Sequence, residues 1–218
     1  MNDTLTDTTT EVIEIADNAV KPKSKNRFES AQPVLEKLFE HYPQLFGERF
    51  LPLKLGIFQE LMAAHPDVFK RDELKTALGV HTRSSRYLQC VASGLKRHDL
   101  QGQPVEDVAP EHVFMAIAEL FTRRQAKSKE DLRPKLRAQL VHAFDQSGLL
   151  RADYLARIGC PSDDVAAVLE EAIGQVEQQR ARQAALTRAF EASGQTLEVF
   201  AASLGMEVSQ VRVALKKS

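Results

Sequence analysis

Basic residues concentrate in one stretch of a chain that is almost neutral overall. Residues 49–97 contain nine Lys or Arg and four Asp or Glu, a local charge of +5, whereas the 218-residue chain has a net charge of −1. Cations clustered in this way neutralise phosphates, so their chemistry is electrostatic binding of a polyanion. The net charge argues against a protein that coats nucleic acid indiscriminately. We therefore expect one local anion-binding face.

Hydroxyl and aromatic side chains interrupt the basic residues where a helix is expected to begin. Thr82 is the predicted cap of this helix, and Ser84, Arg86 and Tyr87 follow it. A helix N-terminus offers unpaired backbone N–H groups, and the hydroxyls add further donors. This set is suited to a phosphate or a ribose, and Tyr87 can stack or hydrogen-bond there. Without further context, Tyr87 is equally well explained as a core aromatic with its hydroxyl at the surface.

Four more cations complete the candidate set: Lys54, Arg71, Lys75 and Arg97. We expect Lys54 one turn into a helix, facing solvent or an anion, because burial of its charge is costly. Arg71 and Lys75 on a short helix can contact phosphates, and Arg97 begins a predicted hairpin. The simpler alternative is that these side chains form ordinary solvated surfaces.

Patterns typical of enzymes are missing from the sequence. There is no glycine-rich phosphate loop, GxSxG, HExxH or paired Cys/His spacing, and the six histidines are scattered. Cys90 and Cys160 have no partner motif and are expected to be small buried residues in a reduced, cytoplasmic setting. Neither a signal peptide nor an apolar run of roughly 20 residues is present. We therefore predict no catalysis, no cofactor and no metal.

The apolar pattern predicts a mainly helical domain over residues 27–127, preceded by a flexible tail at 1–26. From capping residues and 3.6-residue spacing, helices are predicted to begin at Ser30, Pro52, Asp72, Thr82 and Pro110. Pro33 would lie in the first turn of the first helix, and Gly79 would stop the third. Residues 96–105 are predicted to form a small β-hairpin.

An internal repeat occupies the region after this domain, residues 128–218. At a constant offset of 46, Phe144 matches Phe190, Ser147-Gly148 matches Ser193-Gly194, and Gly159 matches Gly205. Each copy, about 138–169 and 184–215, reads as three helices separated by glycine turns. Residues 170–184 are expected to be a helical connection. The fold class predicted for the whole chain is therefore mainly α, with one hairpin and two related three-helix units.

Three segments in order carry a recognisable pattern. Residues 51–57 read LPLKLGI, residues 74–78 and 82–88 read LKTAL and TRSSRYL, and residues 94–104 read GLKRHDLQGQP. Together they resemble the ProQ/FinO family of bacterial RNA-binding proteins over about 100 residues. The resemblance implies an RNA chaperone that binds the base of a hairpin and a short 3′ single-stranded tail. Small RNAs and mRNA 3′ ends would be its partners, with effects on RNA stability and pairing.

The resemblance also implies roles for individual residues. Lys54, Tyr87 and Arg97 match positions on or near the family's concave RNA-binding face, and Arg86 is the next candidate. Arg71 and Lys75 would contact phosphates, while Thr82 and Ser84 would help to hold the 3′ end. Three departures are visible: Leu51 stands where Arg is usual, Gly79 where a basic residue is common, and Lys75 where Arg is frequent. Lysine keeps the charge but loses the planar fork of arginine.

The main alternative is a DNA-binding regulator, because the second repeat has a spacing similar to a helix-turn-helix. A recognition helix needs exposed basic and amide residues. The second copy offers Gln210, Arg212, Lys216 and Lys217, whereas the first offers Asp163, Asp164, Glu170 and Glu171. Because the acidic copy would repel DNA, we expect the C-terminal helices to make protein contacts or additional RNA contacts.

Overall fold

The structure of the chain is a computed structural model that describes residues 24–47, 49–159 and 162–216. Its helices are α1 Ser24–His41, α2 Pro43–Phe46, α3 Ile57–Ala64, α4 Arg71–Thr82, α5 Ser85–Ala92, α6 Pro110–Gln125, α7 Arg133–Ser147, α8 Arg151–Ile158, α9 Asp163–Ser193, α10 Leu197–Ser203 and α11 Val208–Lys216. Strands β1 Arg97–His98 and β2 Pro104–Glu106 pair antiparallel, so the predicted hairpin is confirmed. Within the described ranges, no helix is long and apolar enough to cross a membrane.

The first helix begins earlier than expected. It starts at Ser24 instead of Ser30, and Pro33 lies inside it and not in its first turn. Ala31 and Leu38 on this helix are completely buried, and α1 packs against α4. Burial of this apolar face offsets the cost of an interior proline. Most of the predicted tail, residues 1–23, lies outside the described residues.

The predicted helix start at Pro52 is wrong, and Lys54 is not on a helix. Residues 52–54 are extended beside β1: the Lys54 N–H donates to the His98 carbonyl at 2.9 Å, and the His98 N–H donates to the Pro52 carbonyl at 2.7 Å. Helix α3 begins only at Ile57, after Gly56 turns the chain with φ of +85°. Pairing with a distant strand therefore replaces the helical hydrogen bonds that the local pattern favoured.

The boundary between the third and fourth helices also differs from the prediction. Helix α4 runs through Gly79 to Thr82, and the Thr82 hydroxyl donates to the Leu78 carbonyl within that helix at 2.8 Å. Ser84, not Thr82, caps α5, since its hydroxyl accepts from the Tyr87 N–H at 3.2 Å. Gly79 does not end the helix because Leu74, Ala77 and Leu78 hold α4 in the core.

The two C-terminal units repeat the same local geometry. Gly148 and Gly194 end their helices with φ of 64° and 60°, and each preceding serine hydroxyl donates to a phenylalanine carbonyl at 2.7 Å. The Phe144–Tyr154 and Phe190–Phe200 ring pairs are edge to face, with centroids 5.0 and 5.2 Å apart. Helix α9 serves both units, so the expected helical connection is part of one 31-residue helix.

The first C-terminal unit shares a core with the preceding domain, whereas the second has its own. Leu136, Phe144 and Ile173 belong to the same buried cluster as Leu38 and Leu61. The second cluster is small and is built around Phe200, Ala201 and Val211. The predicted boundary at residue 127 is therefore a boundary in the sequence pattern and not a gap in the hydrophobic core.

Candidate nucleic-acid interface

The buried side chains of Tyr87 and Arg97 both form hydrogen bonds with the backbone of Leu53, in the extended segment 52–54. The Leu53 N–H donates to the Tyr87 hydroxyl at 3.0 Å, and Arg97 Nη1 donates to the Leu53 carbonyl at 2.9 Å. Arg97 also lies 3.1 Å from His112 Nδ1 through Nη2, and its Nε is 3.9 Å from the Glu106 carboxylate. These contacts fix the segment that carries Lys54 against the hairpin.

The Tyr87 hydroxyl remains protonated at neutral pH. Burial raises its pKa above the ordinary value of 10, while the hydrogen bond from Leu53 and the charge of Arg97 oppose that increase. A phenol that accepts one hydrogen bond still carries its own proton as a donor. Tyr87 therefore combines a structural role with the capacity to donate to a bound group.

A groove of about 720 Å³ opens beside this pair, between α5, α6, the last residue of α8 and the start of α9. Three of the predicted site residues line it: Thr82, Tyr87 and Arg97. The other polar side chains in its lining are Arg83, His112, Glu119, Thr122, Arg123 and Ser162. Arg123 donates to the Arg83 carbonyl at 2.7 Å and to Glu119 at 2.8 Å. The groove therefore places three guanidinium groups, from Arg83, Arg97 and Arg123, around one cavity.

A row of basic residues on α4 leads to this groove. Arg71, Lys75, Gly79 and Arg83 are spaced four residues apart, which places them along one face over about 18 Å. Arg71 stacks over the Phe58 ring at 5.6 Å, and Lys75 is exposed. A Cβ added to Gly79 would lie 3.6 Å from Arg83 Nη1. Arg83 therefore supplies a positive charge beside the glycine, where the sequence pattern suggested that a charge was missing.

Lys54 lies outside the groove lining, next to the residue that Tyr87 and Arg97 hold. Its Nζ is 2.5 Å from the Glu60 carboxylate, and the side chain is 37% exposed. The hydrogen bond to Glu60 and the charge of Glu60 raise the Lys54 pKa. Lys54 is therefore a cation at neutral pH whose charge is partly balanced by its neighbour.

Arg86 faces a different part of the surface from Tyr87, although the two are adjacent in sequence. Consecutive helical residues point about 100° apart, and Arg86 stacks over the Phe50 ring at 5.1 Å. It lines a separate hollow that includes the exposed rings of Phe28 and Phe39. The structure thus does not bring Arg86 to the groove, and it leaves Ser84 as a helix cap.

A buried histidine lies behind the groove. His81 is 5% exposed and packs against Phe46, Phe50 and Tyr87 with ring centroids 4.4 to 5.2 Å apart. Burial lowers its pKa to about 4, so it is neutral at physiological pH. Among the residues whose placement the structure describes, no group of His, Cys, Asp and Glu is arranged to hold a metal ion.

Arg83 and Arg123 are the cations that sequence reasoning did not single out. Arg83 is one of the nine basic residues of the stretch at 49–97, but no motif distinguished it. Arg123 lies beyond that stretch, in the last turn of α6. Only the packing of α6 against α5 brings the two together, so no local signal identified Arg123.

Residues 28–133 match the model of the ProQ/FINO family. The chain is 35% identical over 119 residues to the RNA chaperone ProQ of Shewanella amazonensis, covering 52% of this chain and 54% of that protein. It is 36% identical over 113 residues to the RNA chaperone ProQ of Shewanella oneidensis, covering 49% and 53%. The chain thus spans about half the length of the curated relatives it matches. A crystal structure of a FinO-like RNA chaperone from Neisseria meningitidis is 33% identical, covering 40% of this chain and 90% of that one, with a TM-score of 0.37.

Proposed function

We propose that this chain is an RNA-binding protein of the RNA-chaperone type, because its residues 28–133 match the ProQ/FINO family. Its ligands are structured RNAs, recognised at the base of a hairpin and at the 3′ single-stranded tail. Small regulatory RNAs and mRNA 3′ ends have this form. Binding there shields the 3′ end from exonucleases and alters pairing between small RNAs and mRNAs.

The observation that carries the proposal is the groove with Thr82, Tyr87 and Arg97 at the end of the basic row on α4. A-form RNA has a major groove too narrow for side chains to read, so recognition follows phosphates, shape and free ends. Arg71 and Lys75 bind phosphates of the duplex backbone, and Lys54 contacts the backbone beside them. Arg83 and Arg97 face the phosphates of the tail. The Tyr87 hydroxyl donates a hydrogen bond to its terminal ribose, and the Thr82 oxygen, whose proton is donated to the Leu78 carbonyl, accepts one from a ribose hydroxyl.

The names of the relatives favour RNA over duplex DNA as the ligand, since those described above are RNA chaperones. The N-terminal turn of α9 in the first C-terminal unit carries Asp163 and Asp164, so this unit lacks the basic residues that a DNA recognition helix needs there. A comparison of hairpin RNA with duplex DNA at matched salt tests this preference.

A mobility-shift titration with a terminator hairpin tests the proposal. Three to six phosphate contacts give a slope of log K against log salt on the order of −3 to −5. Lys75→Ala removes one of these contacts and should reduce the slope by about 0.7 to 0.9. Lys135→Ala is the matched control, because Lys135 is an exposed lysine on α7 that does not line the groove. Equal binding of the hairpin with and without its 3′ tail would refute recognition of the tail.

A further inference from the structure

We infer that the first C-terminal unit completes the RNA-binding groove, because α8 and α9 supply part of an apolar shelf for the base of the 3′-terminal nucleotide. The inference rests on the proposed binding of a 3′ tail and assigns a role to helices outside the basic domain. The shelf consists of Met115 on α6, Ile158 at the end of α8 and Val165 in the first turn of α9.

The shelf and the cationic residues line the same cavity. Met115, Ile158 and Val165 contribute to the groove that also contains Tyr87 and Arg97. Met115 is 62% exposed, although it lies in α6 between the buried residues Phe114 and Ala116. Ile158 is half-buried and Val165 is almost completely buried. An exposed methionine beside two aliphatic side chains forms an apolar surface in a lining that also contains Leu88, Val91 and Phe114 besides its cations.

The lining matches the two chemical halves of a nucleotide. Guanidinium and hydroxyl groups from Arg83, Arg97 and Thr82 suit the phosphate and the ribose. A base has an apolar, polarisable face, and a methionine thioether and aliphatic groups pack well against such rings. The cavity of about 720 Å³ lies within the range of sites that hold small molecules. It therefore has room for a terminal nucleotide but not for a duplex.

The shelf is held rigidly by the core of the first C-terminal unit. Leu136, Leu140, Phe144 and Tyr154 are at most 1% exposed, and they belong to the core that includes α6. Arg180 on α9 donates to the Leu149 carbonyl at 3.1 Å and stacks over the Phe144 ring at 5.0 Å. Arg151 in α8 forms an ion pair with Glu170 in α9. The backbone positions of Ile158 and Val165 are therefore fixed before RNA binds, so the exposed Met115 is the shelf side chain that binding has to order.

The test compares a hairpin that carries a 3′ uridine tail with the same hairpin lacking it, using the full chain. The double variant Met115→Ala/Ile158→Ala removes most of the shelf, and Leu150→Ala is the control. Leu150 is 71% exposed just before α8 and does not line the groove. We expect the double variant to bind the tailed hairpin five- to tenfold more weakly, about 1 to 1.4 kcal/mol. Its affinity for the tailless hairpin, and both affinities of the control, should stay unchanged.

Several outcomes would contradict the proposed role of the shelf. Unchanged binding of the tailed hairpin by the double variant contradicts it, and so does an equal loss for both hairpins. If the wild-type protein itself binds both hairpins equally, the proposed recognition of the tail fails as well, which separates the two failures. A second measurement does not depend on the variants: RNA ending in 4-thiouridine should crosslink to peptides that contain Met115 or Ile158. Crosslinks confined to residues 71–98 would overturn the assignment.

Discussion

Replacing Tyr87 by Phe removes one oxygen atom from the centre of the candidate interface and keeps the aromatic ring. That oxygen accepts the buried Leu53 N–H at 3.0 Å. The variant would leave this N–H without a partner in a place from which water is largely excluded, since Tyr87 is 7% exposed. Tyr154→Phe is the matched control: Tyr154 is completely buried, and its hydroxyl has no hydrogen-bond partner within the described part of the chain.

The two substitutions should differ in their effect on the free energy of unfolding. An unsatisfied buried donor costs about 1 to 3 kcal/mol, so Tyr87→Phe should lower the free energy of unfolding by that amount. For a chain of this length, each kcal/mol shifts Tm by about 2 to 4 °C. Tyr154→Phe removes a buried polar group that is not hydrogen-bonded and should be neutral or stabilising by about 1 kcal/mol. Phenylalanine already occupies the corresponding position of the second unit, Phe200.

Urea denaturation followed by circular dichroism measures both free energies, and mobility shifts on the tailed hairpin measure binding. We expect Tyr87→Phe to weaken binding as well, because the Leu53 segment also positions Lys54. A Tyr87→Phe protein as stable as the wild type would refute the structural role of the hydroxyl. A Tyr154→Phe protein destabilised by as much as Tyr87→Phe would refute the assignment of partners on which the comparison depends.

Three other predictions follow from single contacts. Gly79→Lys should make the slope of log K against log salt more negative by about 0.7 to 0.9, because it adds a cation to the basic row on α4. An unchanged slope in a salt titration would contradict the role of that row in binding. Replacing a glycine inside a helix should also raise the free energy of unfolding by about 0.5 to 1 kcal/mol. His81 has a folded pKa of about 4, below the ordinary value of 6.5, so the unfolded chain binds more protons between these pH values. The neutral His81 side chain therefore contributes about 3 kcal/mol to the free energy of unfolding above pH 6.5, and this contribution is lost as pH falls towards 4. Urea titrations across that pH range should show the loss in the wild type but not in His81→Phe. Burial raises the pKa of the Cys90 thiol to about 12, so in a Cys160→Ser background iodoacetamide at pH 7.5 should alkylate Cys90 slowly in the folded protein and fast in urea. Rapid labelling of Cys90 in the folded protein would count against that burial.

The differences between predicted and observed elements share a physical cause. The helix predicted from Pro52 and the cap predicted at Thr82 both rested on local signals. At Pro52 the backbone hydrogen bonds go to His98, which lies more than forty residues away in sequence. The Thr82 hydroxyl donates to the Leu78 carbonyl within α4, and Ser84 caps α5 instead. Sequence patterns report local preference, and non-local pairing overrides it.

The sequence by itself determined the features that depend on neighbours along the chain. The mainly helical class, the hairpin after Gly94 and the repeat with its Ser-Gly turns follow from periodicity and glycine placement, which are local properties. The local charge of +5 over residues 49–97 is likewise readable directly. The motifs between residues 51 and 104 resemble those of the ProQ/FinO family, whose model matches residues 28–133. They pointed to Thr82, Tyr87 and Arg97, which the structure places around one groove.

Only the tertiary structure decided which cations line that groove and which apolar side chains line it with them. It separated Arg86 from Tyr87 because adjacent helical residues point in different directions. It added Arg123, and it placed Ile158 and Val165 from the C-terminal unit in the same groove lining as Arg97. These residues are 26 to 68 positions from Arg97 in sequence. They meet because burial of apolar surface packs α6 against α5 on one side and against α7 and α8 of the C-terminal region on the other. Such long-range packing leaves no pattern in the sequence around any one of these residues.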